Sequence, residues 1–415
     1  MAEMKTRLTI DPKNGFCALT KTFQSIRPPV PLPPLTQPLS ITEYVLSLLH
    51  STTTNSTTTP ATPFLIDATN GDRLSYSDLL HQTKTFSSSL QTRFPSLSKG
   101  QVALIVSPPS VHVPVLYFSL LSLGVIVSPA NPLSTQAELN HLLELTKPVI
   151  AFTTSSFSNR FTSLPLGTIV LDSPEFLSMM QTPQTYKPNR VEIHQSDSAA
   201  ILYSSGTTGR VKGVELTHRN LIAVIAGLFH NRNEDEQDLH PVSLFTLPLF
   251  HVFGFFMIIR AAALGETCVL LERFDFENML KAVEKYKVTY MPVSPPLVVA
   301  MAKSDLVGKY DLSSLQLLGC GGAPLGKEVS ERFTARFPHV EIVQGYGMTE
   351  TGGGATRMIG PDESKQYGST GRLAENMEAK IVDPVTGEAL PPGQQGELWL
   401  RGPLVMKGAA YVPML

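Results

Sequence analysis

The residues best suited to chemistry fall in ten consecutive positions, Ser204-Ser205-Gly206-Thr207-Thr208-Gly209-Arg210-Val211-Lys212-Gly213. Four hydroxyls, three glycines and a lysine follow directly on an apolar run at 199–203. Glycine lets backbone N–H groups approach an oxygen closely, hydroxyls add donors and a lysine supplies a point charge. The string therefore reads as a grip for a polyphosphate such as ATP. Spacing excludes the P-loop of nucleotide hydrolases, which needs four residues between its first glycine and a Gly-Lys-Ser/Thr end; here Gly206 and Gly209 are too close and Lys212 precedes a glycine. The competing reading is an ordinary Ser/Thr/Gly surface turn.

Other candidates gain meaning only from the elements that gather them. Taken singly, Tyr346 is a core aromatic, Glu350 a solvated charge and His251 a hydrogen-bonded residue of an apolar run. From residue 64 onward, short apolar runs alternate with helical patterns: 102–106, a helix ending near Gly124, 125–127, a helix over 136–145, and 149–152. The pattern continues with a strand over 199–203 leading into the grip, a helix over 217–230, and a helix end followed by a strand within 281–292. Strands at 315–318 and 341–343 would deliver a Gly-rich turn at Gly319 and the Tyr346 loop to one sheet edge, where α/β folds bind ligands. Near-continuous apolar strands separated by helices predict an α/β fold of parallel sheets flanked by helices. Further strands at 379–382 and 397–401 predict a small β unit.

With 415 residues, 42% of them hydrophobic and 16% charged, the chain is long enough for two or three subdomains with large cores. A net charge of −2 gives no basic field for nucleic acid or anionic lipid, so a small-molecule partner is expected and no protein partner is indicated. Cys17, Cys268 and Cys320 are scattered and odd in number, which suggests a reducing compartment and neither a disulfide framework nor a zinc site. The first twenty residues hold no secretory signal. The apolar stretches 111–127 and 244–259 are broken by Pro114 and Gly124, and by Pro248, His251 and Gly254, so no membrane span is expected. Six prolines within 28–38 predict an extended arm, residues 41–50 a helix, and residues 51–62 a solvated low-complexity loop.

The ten-residue string resembles the signature loop of the adenylate-forming enzymes, the group of acyl-CoA synthetases, 4-coumarate:CoA ligases, firefly luciferases and peptide-synthetase adenylation domains. Gln344-Gly345-Tyr346-Gly347-Met348-Thr349-Glu350 is similar to the second family signature, and Gly396-Glu397-Leu398-Trp399-Leu400-Arg401-Gly402 to the third. Leu247-Pro248-Leu249-Phe250-His251 and Gly321-Gly322-Ala323-Pro324-Leu325 also match, and the wording at 322–328 looks most like the plant 4-coumarate:CoA ligase-like proteins. The resemblance covers about residues 40–408. It implies a large layered αβαβα domain over 63–375, a β subdomain over 376–408, an arm and loop over 1–62 and a divergent tail at 409–415.

The activity implied by the resemblance is ATP-dependent acid:CoA ligation, through an acyl-adenylate to a thioester, with Mg²⁺ and with CoA as co-substrate. In that reading Ser204, Ser205, Gly206, Thr207, Thr208, Gly209 and Lys212 hold the β and γ phosphates. Thr349 donates to the α-phosphate and Glu350 holds Mg²⁺. Tyr346 stacks on adenine while Gly321, Gly322, Ala323, Gln344, Gly345 and Gly347 line the rest of the nucleotide site. His251 lies between carboxylate and phosphate, neutral because desolvation disfavours the imidazolium, and acts with Lys212 and Thr349.

The acyl pocket departs from the hydroxycinnamate pattern. Phe253, Phe256 and Gly319 stand where family members that take 4-coumarate carry polar side chains, and Gly353-Gly354 replaces a Pro-Val. Together with Val252, Met257, Val293, Gly321 and Gly345, this predicts a larger, more apolar site for a fatty, cyclopentenone-bearing or unsubstituted aromatic acid, because a buried unpaired phenolic hydroxyl costs ~1 to 3 kcal/mol. Only 13 residues follow Gly402. The family's C-terminal domain and its lysine are therefore expected to be absent and ligase activity impaired, since one oriented donor can be worth ~10²- to 10³-fold in rate. Relatives end in a peroxisomal address that Pro413-Met414-Leu415 does not match, which leaves the cytoplasm as default. Two other readings are a catalytically dead adenylate- or acid-binding remnant and a luciferase-like oxygenase.

Overall fold

A computed structural model of the chain describes residues 10–53, 58–161, 163–181, 189–204, 211–232 and 240–410. Two large sheets and a small one organise these residues. The first has seven strands in the spatial order Gly408–Ala410, Lys212–Thr217, Ser198–Ser204, Ile126–Ala130, Val102–Val106, Ile150–Thr153 and Thr168–Val170. It is parallel except at its Lys212–Thr217 and Gly408–Ala410 edge. The second has nine strands, with Glu341–Tyr346, Leu317–Cys320, Tyr290–Val293, Val242–Phe245, Thr267–Leu270 and Pro63–Asp67 forming a parallel centre. Every residue of Val102–Val106 and of Thr267–Leu270 is buried, as strands covered on both faces require.

Five layers result, parallel sheets flanked by helices as the strand and helix alternation predicts and layered as the resemblance implies. Helices Ile41–Thr53, His112–Ser122, His218–His230 and Val252–Leu264 pack on one another between the sheets, and one hydrophobic core runs from Ile105 and Phe152 of the first sheet to Phe245 and Leu270 of the second. Helices Phe276–Tyr286, Pro295–Lys303 and Lys327–Arg336 cover the outer face of the second sheet, and Gln136–Thr146 covers that of the first. Local chemistry sets the helix ends. Thr217 and Asn220 form a reciprocal capping box at the start of His218–His230, and Gly265 ends Val252–Leu264 in the left-handed conformation. Among the described residues no helix is long and apolar enough to cross a membrane.

Four segments make contacts that their sequence reading did not give. The small sheet is not built from the C-terminal strands alone: Glu378–Val382 and Glu397–Arg401 are joined by the hairpin Phe16–Cys17 and Thr22–Gln24, with Phe23 opposite Ala379. The proline-rich arm forms no helix or strand, in keeping with its extended reading, and side chains anchor it: Gln195 donates to the carbonyls of Pro34 and Gln37, Arg219 to Pro33, and Asn376 to Val30. Within the loop read as solvated, Thr58 is buried and donates to the Gly265 carbonyl at 3.0 Å, which is how a short hydroxyl can leave water without penalty. Ala409 and Ala410, in the segment read as tail, extend the first sheet opposite Val214 and Gly213.

Candidate functional site

Ser204 closes one strand, Lys212 opens the next, and the two are cross-strand partners. Ser205, Gly206, Thr207, Thr208 and Gly209 of the phosphate grip lie outside the described residues. The Thr349–Thr351 turn packs against both of those strands, so the first and second motifs meet although 145 positions separate Ser204 from Thr349. Thr349 is buried and Glu350 half-buried, and among the described residues neither side chain has a hydrogen-bond or ionic partner. The segment that follows the third motif is stitched to the same place: Met406 N–H donates to the Glu350 carbonyl at 2.8 Å, and Asn220 donates to the Pro403 and Val405 carbonyls, each at 2.8 Å.

Beside this junction a cavity of about 680 Å³ opens between helix Val252–Leu264, helix His218–His230 and the ends of the second-sheet strands. Its wall includes His251, Val252, Phe253, Phe256, Met257, Gly319, Gly321, Gly322, Gln344, Gly345, Gly347, Gly353 and Gly354. Of the residues expected to line the acid and adenine pockets, three lie off that wall, as do Ser204, Lys212, Thr349 and Glu350 of the phosphate region. Ala323 and Tyr346 are exposed, Tyr346 at the end of its strand with 36% of its surface accessible. Val293 is fully buried in the outer core with Val269 and Met291; side chains alternate along a strand, and Tyr290, three positions earlier, takes the cavity face.

His251 caps helix Val252–Leu264 by accepting the Phe253 N–H at Nδ1, 3.3 Å away. His251 is exposed at its outer edge, but partial desolvation lowers its pKa, and a lone pair committed to a backbone donor also favours the neutral ring. Phe253 and Phe256 stack with centroids 5.6 Å apart and planes 18° apart, forming one apolar wall. Two glycines expected to enlarge the pocket are already matched by neighbours. A Cβ on Gly319 would stand 2.5 Å from the Tyr290 hydroxyl, and one on Gly353, whose φ is +101°, would overlap the Phe256 ring. Of these three, Gly354 alone faces open space. Cys320, also on the wall, is pushed up to about 12 by burial and stays a protonated thiol.

The sequence reading missed the cavity's polar lining. Arg260, Glu266, Tyr290, Arg357 and Glu375 all reach it. Arg260 pairs with both carboxylate oxygens of Glu266 at 2.9 Å, and Arg357 with Glu375 at 2.6 Å. One signal was available, since Arg260 is the sole charge in its 13-residue helix and a buried charge needs a partner. Tyr290 gave none, because a tyrosine at a strand start is ordinary core material. The expected apolar pocket is thus apolar along Phe253, Phe256 and Met257 and polar where these groups face it. Among the described residues no three His, Cys, Asp or Glu side chains cluster as metal ligands.

The chain belongs to the AMP-binding enzyme family, whose model matches residues 52–409. Two plant relatives narrow this. The chain is 55% identical over 406 residues to 4-coumarate–CoA ligase-like 9 of Arabidopsis thaliana, covering 96% of this chain and 72% of that protein. It is 44% identical over 410 residues to 4-coumarate–CoA ligase-like 5 of Oryza sativa subsp. japonica, covering 94% and 74%. The fold matches the crystal structure of a long-chain-fatty-acid–CoA ligase from Archaeoglobus fulgidus with a TM-score of 0.79 at 23% identity, over 92% of this chain and 77% of that one. Family and relatives together give the reaction class, acid:CoA ligation.

Proposed function

We propose that this chain activates a carboxylic acid with ATP and passes the acyl group to CoA. The observation that carries the reading is the packing of the Thr349–Thr351 turn on the strands that end at Ser204 and begin at Lys212, next to a cavity walled by His251 and the glycines of the second motif. In the first half-reaction a carboxylate oxygen forms a bond to the α-phosphorus, the bond to the β-bridging oxygen breaks, and pyrophosphate leaves. In the second, the CoA sulfur bonds to the acyl carbon and AMP departs with the former carboxylate oxygen.

Charge builds on phosphate oxygens in the first step, so donors fixed in advance are the main catalytic resource. The Thr349 hydroxyl, without a partner among the described residues, would donate to the α-phosphate, and Lys212 with the residues of the grip would hold the outer phosphates. Neutral His251, its Nδ1 engaged by Phe253, has the proton on Nε2 and would donate it between carboxylate and phosphate. Glu350 suits the Mg²⁺ that accompanies ATP, because that ion takes one or two carboxylates and completes its shell with phosphate and water. When bound, the ion would offset phosphate charge. Tyr346, exposed beside Gly347, would stack on adenine. Residues 63–375 would then form the catalytic unit, flanked by the small sheet. Acid-dependent ATP–pyrophosphate exchange tests the reading. Exchange is expected with the native chain and lowered at least tenfold in Thr349→Val; unchanged exchange in Thr349→Val would remove the proposed donor.

A further inference from the structure

Tyr290 carries a hydroxyl that the activation chemistry does not use. Tyr290 lines the cavity, and its hydroxyl makes no hydrogen bond to another described residue. It stands where a side chain at 319 would otherwise project, 2.5 Å from the Cβ position of Gly319. The ring cannot easily turn away. The Arg260 guanidinium lies 5.1 Å from its centroid and is itself fixed by both oxygens of Glu266. That pairing commits Arg260 to Glu266, so the Tyr290 hydroxyl beside Gly319 is left able to donate to a ligand.

Gly319 stands two residues before Gly321 on the route out of its strand, and both line the cavity. At ~3.3 Å per residue the Tyr290 hydroxyl is ~6 to 7 Å deeper than the turn where the carboxylate would react. We infer that Tyr290 is a specificity-determining residue that donates a hydrogen bond to an oxygen borne part-way along the acid, a ketone or a hydroxyl. This deepens the acid-ligase reading and rests on it. Burial supports the donor role, pushing Tyr290 up to about 12 and keeping its proton in place.

Isothermal titration of the 415-residue chain with matched acids tests the inference. The probes are decanoic acid with and without a ketone at carbon 6, and cinnamic acid with and without a para hydroxyl. The native chain should bind the oxygen-bearing member of at least one pair roughly five- to tenfold more tightly, the worth of one hydrogen bond. The pair that discriminates identifies ketone or hydroxyl. Tyr290→Phe should bring that pair within about twofold while leaving the plain acid unchanged. Gly319→Ala should act in the same direction by displacing the hydroxyl. Equal binding of plain and oxygen-bearing acids by the native chain, or a preference that survives Tyr290→Phe, overturns the inference and leaves acid activation standing. Failure of the native chain to bind any of the four acids overturns both.

Discussion

His251 commits one ring nitrogen to the backbone of its own helix, so the state of the other nitrogen decides what it can do in the cavity. Partial desolvation lowers its pKa; the neutral ring therefore persists as pH falls to the ordinary histidine value, and protonation sets in only below it. The acid limb of pyrophosphate exchange due to His251 is expected below about pH 6.5. His251→Gln should remove that limb in a pH–rate profile, and a His251-dependent limb above this value would contradict the assignment. At the second motif, Gly353 and Gly354 make opposite predictions. Gly353→Ala combines a left-handed backbone with overlap on Phe256 and should cost about 1 to 3 kcal/mol in urea denaturation, whereas Gly354→Ala should stay within about 0.5 kcal/mol of the native chain.

Helices in the middle layer are joined by polar contacts as well as apolar ones. Ile41, the first residue of helix Ile41–Thr53, has an N–H that the helix itself cannot satisfy; it donates at 3.0 Å to Nδ1 of His218, the first residue of helix His218–His230. Burial drives His218 down to about 4. The unfolded chain binds the proton more readily, so this site leaves stability unchanged above pH 6.5 and withdraws on the order of 3 kcal/mol as pH falls from 6.5 to 4. His218→Asn should flatten that part of the stability–pH curve, measured by denaturation at each pH. Elements such as these were largely legible in the sequence: the strand read over 102–106 is Val102–Val106, and the helix read over 217–230 is His218–His230 with Thr217 as cap. Short apolar runs and capping residues are local signals. Tyr290, Glu266 and the hairpin at 16–24 were not legible, because what they touch is set by residues far away in the chain.

Across the whole molecule, Arg27 ties the N-terminal segment to the cavity's far wall. Its guanidinium, only 7% exposed, pairs with Glu363 at 2.7 Å and approaches Glu375 at 3.8 Å, while donating to the Arg357 carbonyl at 2.5 Å. Arg357 in turn holds Glu375 and donates to the Gly227 carbonyl at 2.9 Å. Removing one member of such a buried network strands the others, so Arg27→Ala should destabilise the chain by about 3 to 5 kcal/mol. Adding Glu375→Gln should cost less than the sum of the two single changes, and strict additivity in a denaturant double-mutant cycle would show that the network is not coupled. The proposed chemistry turns on one step, attack of the carboxylate on the α-phosphorus of ATP. The most direct measurement supplies the chain with ATP, Mg²⁺, CoA and an acid labelled with ¹⁸O in both carboxylate oxygens, then weighs the nucleotide product by mass spectrometry. Attack by the carboxylate yields AMP carrying one ¹⁸O atom, formed only when the acid is present. Unlabelled AMP, or ADP with phosphate, would contradict it.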